Sequence, residues 1–242
     1  MFDLANFKMS HMIECSAALR QLSSGAQNME EVANRVAGYL YDNFLDPQSQ
    51  QRTCALVRFY KTHPYGELDE DLRGFAGSLL GDHSAEPSLK CLTMLATYGE
   101  KPEWNSRKDS TGHKAIPLPS VEAVKQIPMI AQLIKQFGLE VGQIVKPDPT
   151  LVVELEQKTY NVFHVEEALG SPFVPAQEQF VIPFGIRSVL GFGGLLPSGD
   201  LFAIIMFTKV HIPREATDLF KTFALSVKMA LLPFVAGTVF VK

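Results

Sequence analysis

The stretch that most restricts the fold lies near the end of the chain. Leu201 to Phe207 is an unbroken apolar run. It is too short to span a bilayer and too apolar for a strand with one wet face, so it predicts a central strand covered on both sides. Before it, Pro197, Ser198, Gly199 and Asp200 form a turn-forming group. That pairs the run with Ser188 to Leu196 in a hairpin. After it, Ile212 and Pro213 open a helix, with Glu215 and Asp218 near its positive end. Ala216, Leu219, Phe220, Phe223, Ala224, Val227 and Leu231 form the buried stripe of that helix, and Pro233 stops it.

Upstream, Met29, Val32, Val36, Leu40 and Phe44 recur at helical spacing. Ala17, Ala18 and Leu22 extend an earlier helix, broken at Ser24 and Gly25. Asp46 and Pro47 close this N-terminal segment, about residues 10–46. Thr53 to Tyr60 reads as a strand, and His63 to Gly66 as a turn. Leu68, Leu72, Phe75, Ala76 and Leu79 give a short amphipathic helix, and Leu89 to Tyr98 a second strand.

Residues of about 100–150 read as an insertion. Its first part is polar and carries Trp104, Arg107, Lys108, His113 and Lys114. Ser120 caps a helix containing Val121, Val124 and Ile127. Pro128 splits that helix, and Ile130, Leu133, Ile134 and Phe137 continue its apolar face. Pro147, Asp148 and Pro149 form a rigid linker. Leu151 to Gln157 fits a strand or a short helix equally well.

With 242 residues and 46% hydrophobic composition, the chain can bury a sizeable core. A net charge of −4 and the lack of a basic run exclude the electrostatic footprint of a nucleic-acid binder or of a protein drawn to an anionic membrane. Cys15, Cys54 and Cys91 are odd in number and far apart, which fits a reducing cytoplasm.

The phrase Ile186 to Phe192, the strand Leu201 to Phe207, and Ile212 to Glu215 leading into Leu219 to Val227 resemble the GAF family. The match is good from about Phe180 to Leu232 and looser over Met29 to Tyr98. The resemblance implies an α+β fold in which one domain spans 1–242. It implies an antiparallel sheet with helices on one face and a ligand pocket on the other. It also implies a bacterial signal-transduction sensor, similar to the N-terminal sensory region of signalling proteins, rather than an enzyme. Such domains commonly precede histidine kinases, cyclases or transcriptional activators. Here Pro233 interrupts the last helix, so the expected output is a signalling partner acting in trans or an output domain.

The chemical motifs are weaker. Gly191, Gly193 and Gly194 superficially resemble a phosphate loop, but a hairpin turn follows instead of a helix, so they read as glycines relieving crowding in a strand. No histidine pair has metal-ligand spacing. His164, flanked by Val162, Phe163 and Val165, is the first choice for an axial haem ligand, and haem the leading cofactor; His113 is second. A structural or surface role is the plainer reading of His164. Trp104, His113, Tyr160, His164 and Arg187 are expected to line or gate one pocket between the sheet and the insertion. Arg187 would meet an anionic group there, and a helical turn would join Tyr160 to His164. The terminal helices carry more apolar surface than one sheet face needs, so a homodimer is expected. A scaffold without ligand is the alternative function, and a cysteine-dependent redox enzyme the third.

Overall fold

The computed structural model describes residues 1–81, 85–148, 150, 154–155 and 160–241. Among the described residues there are six strands, β1 (Cys54–Pro64), β2 (Lys90–Gly99), β3 (Ala115–Pro117), β4 (Phe163–Val165), β5 (Ser188–Leu195) and β6 (Leu201–Thr208). They form one sheet in the order β3-β2-β1-β6-β5-β4, and every neighbouring pair is antiparallel. The apolar run is therefore inner strand β6, and all of its residues are buried. It belongs to an antiparallel sheet covered on both faces.

Strand alternation divides the core. Phe59 of β1, Phe192 of β5 and Phe202, Ile204 and Met206 of β6 point to one face. That face is covered by α1 (Met9–Gln21), α2 (Met29–Asn43) and the C-terminal helix. The last helix is not one regular rod. It consists of α7 (Arg214–Thr217), a 3-10 turn over Asp218–Phe220, and α8 (Lys221–Leu231). The chain then continues through a further 3-10 turn at Leu232–Phe234. Leu56 and Tyr60 of β1 and Leu201, Ala203, Ile205 and Phe207 of β6 point to the opposite face, with the insertion.

Local signals set the helix starts. Asn28 accepts from the Glu31 N–H at 2.9 Å, and Glu31 accepts from the Gln27 N–H at 2.9 Å. Asp69 caps α3 (Glu70–Leu80) by accepting from the Leu72 N–H. Ser120 caps α4 (Val121–Lys125), and Pro128 begins α5 (Pro128–Gln136) as a separate helix. A short α6 (Val141–Val145) follows. In β5, a Cβ on Gly193 would collide with the Phe202 carbonyl oxygen. The glycine cluster is thus a place where two strands press together.

Three local expectations need correction. The chain does not turn at His63; β1 runs on through Pro64, paired to β2 as far as Lys90. Edge strand β3 lay unrecognised in the polar part of the insertion. Tyr160 and His164 do not share a helical face, because Phe163–Val165 is extended and pairs with β5. Of the ambiguous stretch Leu151 to Gln157, only Glu154 and Leu155 fall among the described residues.

Candidate functional site

The insertion does not seal the sheet face it covers. A cavity of about 400 Å³ remains between them, within the size range of small-molecule sites. Its floor is Leu56, Arg58 and Tyr60 of β1 with Ala203, Ile205 and Phe207 of β6. One wall is Ile127, Met129, Ile130 and Leu133, from α5 and the residue before it. The opposite side carries Trp104, Thr111, Gly112 and His113, and the segment Val174 to Phe180 contributes Val174, Pro175, Ala176, Gln179 and Phe180.

Trp104 is held by aromatic contacts with Phe180 and Phe184, at centroid distances of 5.6 and 4.8 Å. Its ring rests on Gly99, where a Cβ would come within 2.8 Å of it. Two wall residues, His113 (φ 61°) and Ala176 (φ 60°), occupy the left-handed region without being glycine. Ala176 leads into a π-helical turn at Gln177–Val181. Strain of this kind, and π-turns, concentrate where backbone shape serves a site.

Arg58 gives the cavity its charge. Its Nη1 approaches the Tyr60 hydroxyl and His113 Nδ1, each at 3.4 Å. Its Nε is buried without a hydrogen-bond partner. Desolvation of its ring, then the neighbouring Arg58 charge, lower the His113 pKa below the ordinary histidine value. The imidazole is then neutral at pH 7. When its Nδ1 accepts from Arg58, its own hydrogen lies on Nε2.

Only part of the expected constellation assembles. Trp104 and His113 line the cavity together. Tyr160 is buried on the same side of the sheet, but its hydroxyl donates to the Leu155 carbonyl and its ring packs on Gly194. It supports the core and does not line the cavity. His164 lies on the other face of the sheet, because its strand partner is Leu190, which belongs to the helix-side core. Arg187 is exposed. Its backbone bonds Thr208 and Ala168, and its buried neighbour Ile186 takes the cavity-side direction. The five-residue pocket is corrected to one holding Trp104 and His113, with Arg58 added.

The haem candidate changes with this. His164 borders a second cleft, lined by Glu166, Arg214, Asp218 and Lys221. Those charged walls do not match an apolar macrocycle. Burial holds the His164 pKa below the usual value, and its Nε2 has no partner. His113 does face the apolar cavity, but with Arg58 beside its Nδ1.

Two cations of the polar loop are also engaged. Arg107 pairs with Glu30 and Asp69, and Lys114 with Asp71. Arg58 was the residue that sequence reasoning missed. Its signal was a lone charge in the middle of the otherwise apolar stretch Cys54 to Tyr60.

Elsewhere, Lys61 and Lys90 each donate to Asp200 at 2.8 Å, beside the buried His63. Burial opposes charge on Asp200, but the two ammonium groups hold its pKa below the ordinary range. The three thiols are buried, and burial pushes each pKa up to about 12. That is opposite to the depressed value of a nucleophilic cysteine. No helix among the described residues is long and apolar enough to cross a membrane.

No family model matches the sequence, and no curated protein is significantly similar to it. Solved structures similar to the chain include the GAF domain of a phosphoenolpyruvate-protein phosphotransferase from Coxiella burnetii. It is 13% identical with a TM-score of 0.43, over 93% of this chain and 92% of that one. The N-acylhomoserine lactone-dependent LuxR-family transcriptional factor CepR2 from Burkholderia cenocepacia is 10% identical, TM-score 0.38, over 94% and 96%. The chromophore-binding domain of a bacteriophytochrome from R. palustris is 7% identical, TM-score 0.41, over 93% and 63%.

Proposed function

We propose that the chain is a ligand-responsive sensory domain of bacterial signal transduction, a binding module rather than an enzyme, working in the cytoplasm. The observation that carries this reading is the cavity between sheet and insertion. It is apolar, of ligand size, and walled by segments that are remote in sequence.

A route for a response is built into the same loop. The segment from Trp104 to His113 lines the cavity, and Arg107 within it clamps Glu30 at the start of α2. Glu30 also accepts from the Val241 N–H, and the Phe240 ring lies under the Arg107 guanidinium. A ligand that favours one position of the loop therefore biases how the C-terminal segment docks, provided that it binds the two positions with different affinity. The output is read from that segment by a signalling partner or an output domain.

The reading includes a homodimer. α1 packs on α8, and the two helices leave Met9, Ile13, Leu225 and Met229 exposed. Apolar side chains grouped in this way suit a two-fold contact.

Ala203→Phe tests the site by filling the cavity floor. Native mass spectrometry and an absorption spectrum of freshly purified protein, with a thermal-shift panel of small molecules, form the measurement. A retained or stabilising compound is expected for the parent chain and not for the variant. The reading fails if no compound shifts the parent chain, or if Ala203→Phe binds as well as the parent.

A further inference from the structure

Arginine is costly to bury without an anion, because its guanidinium loses hydration and keeps its charge at every accessible pH. The chain satisfies its buried Arg107 with two carboxylates, Glu30 and Asp69. Arg58 is treated differently. It is half-buried, its Nε is fully buried and partnerless, and its two side-chain contacts are long ones to neutral groups. Among the described residues no carboxylate pairs with it, and it is the one fixed charge in the cavity lining.

A second orphan lies beside it. Arg58 pairs directly with Thr97 across β1 and β2, and the Thr97 hydroxyl is also buried without a partner. Side chains opposed in this way share one face at close range. Buried polar atoms are nearly always satisfied, so two orphans on one cross-strand pair single out this part of the sheet, where Arg58, alone of the two, lines the cavity. The rest of the floor and the α5 wall, Leu56, Ile205, Phe207, Met129 and Leu133 among them, is apolar.

We propose that the cavity takes an amphiphilic monoanion, with a carboxylate head on Arg58 and an apolar body along the β6 floor and α5. This rests on the cavity being the ligand site. A carboxylate matches the planar guanidinium, whose fork of N–H donors can pair with both of its oxygens. The head carries one charge because the lining supplies one. A phosphate monoester, close to doubly charged at neutral pH, would leave charge uncompensated. The neutral His113 donates its Nε2 hydrogen and adds no second positive charge.

The chain carries its own reporter, since its single tryptophan, Trp104, lines the cavity. The test titrates the parent chain with decanoate, decanol and decyl phosphate, following Trp104 fluorescence and calorimetric heat. Decanoate should bind saturably and at least about tenfold more tightly than either of the others, the margin of a charge-assisted hydrogen bond. In Arg58→Met that preference should vanish while decanol binding is kept, and circular dichroism should match the parent. Equal binding of decanol and decanoate by the parent overturns the anionic head and leaves the cavity reading standing. Tighter binding of decyl phosphate overturns the single charge. Absence of binding by all three, with Trp104 fluorescence unmoved, overturns this inference and counts against the cavity as well. Should Arg58→Met fail to fold, the parent's ranking of the three compounds decides by itself.

Discussion

The Arg107 guanidinium donates to the Glu30 carboxylate through Nε at 2.9 Å and Nη2 at 3.2 Å, and both side chains are buried. This pair joins residues far apart in sequence and fixes the cavity loop to α2. Glu30→Gln leaves a buried guanidinium short of its main counter-charge. It should cost about 3–5 kcal/mol in urea unfolding, the range for breaking a buried ion pair. A loss under ~1 kcal/mol would mean that the pair is hydrated in solution. Because Glu30 also holds Val241, the variant should expose the C-terminal segment to limited proteolysis.

His63 makes stability depend on pH. Burial, with the nearby Lys61 charge, pushes its pKa down to about 4 from 6.5, and Lys90, Asp200 and Glu67 also act on it. Between those values the unfolded chain binds a proton that the folded chain refuses, so stability falls as pH falls from 6.5 to 4. The contribution is on the order of 3 kcal/mol across that window. His63→Gln, neutral throughout, should flatten the chemical-denaturation profile between those limits. An unchanged slope would assign the proton elsewhere.

Phe223 on α8 is fully buried between Phe7, Phe192 and Phe220, with ring centroids 4.9–5.8 Å away. Phe223→Ala should cost about 3–5 kcal/mol, since the removed ring leaves a cavity that its neighbours cannot fill. A thermal or urea measurement giving less than about a third of that range would place the ring outside the packed core.

Leu225 and Met229, on the outer side of the same helix, are 60% and 52% exposed. Light scattering should report a dimer for the parent chain and a monomer for a variant carrying Leu225→Glu and Met229→Glu, with circular dichroism unchanged. A monomeric parent at high concentration removes the dimer from the functional reading.

The order of the longer helices and strands, the hairpin at Pro197 to Asp200, the cap at Ser120 and the break at Pro128 were legible in the sequence, and the short edge strands β3 and β4 were not. Each depends on residues within a few positions of one another: apolar spacing, turn chemistry, a hydroxyl three residues before an unpaired N–H. Trp104 and His113 stood out as an aromatic and a histidine in a polar stretch. Their meeting in the cavity rested on the fold that the GAF resemblance implies. His164 and Arg187 went wrong for a different reason. The face that a strand residue occupies changes with a shift of one position, and the phase of β4 and β5 is set by their pairing, with Leu190 opposite His164. Arg58 stood in plain view as a charge inside an apolar strand, but sequence alone could not tell whether a carboxylate would meet it. That was decided by the path of the insertion and the pairing of β1 with β2 and β6, which bring distant segments around it and leave its Nε without a partner. Local pattern determined what each segment would become; long-range packing decided which groups were left unpaired, because satisfying a buried charge depends on every element that closes over it.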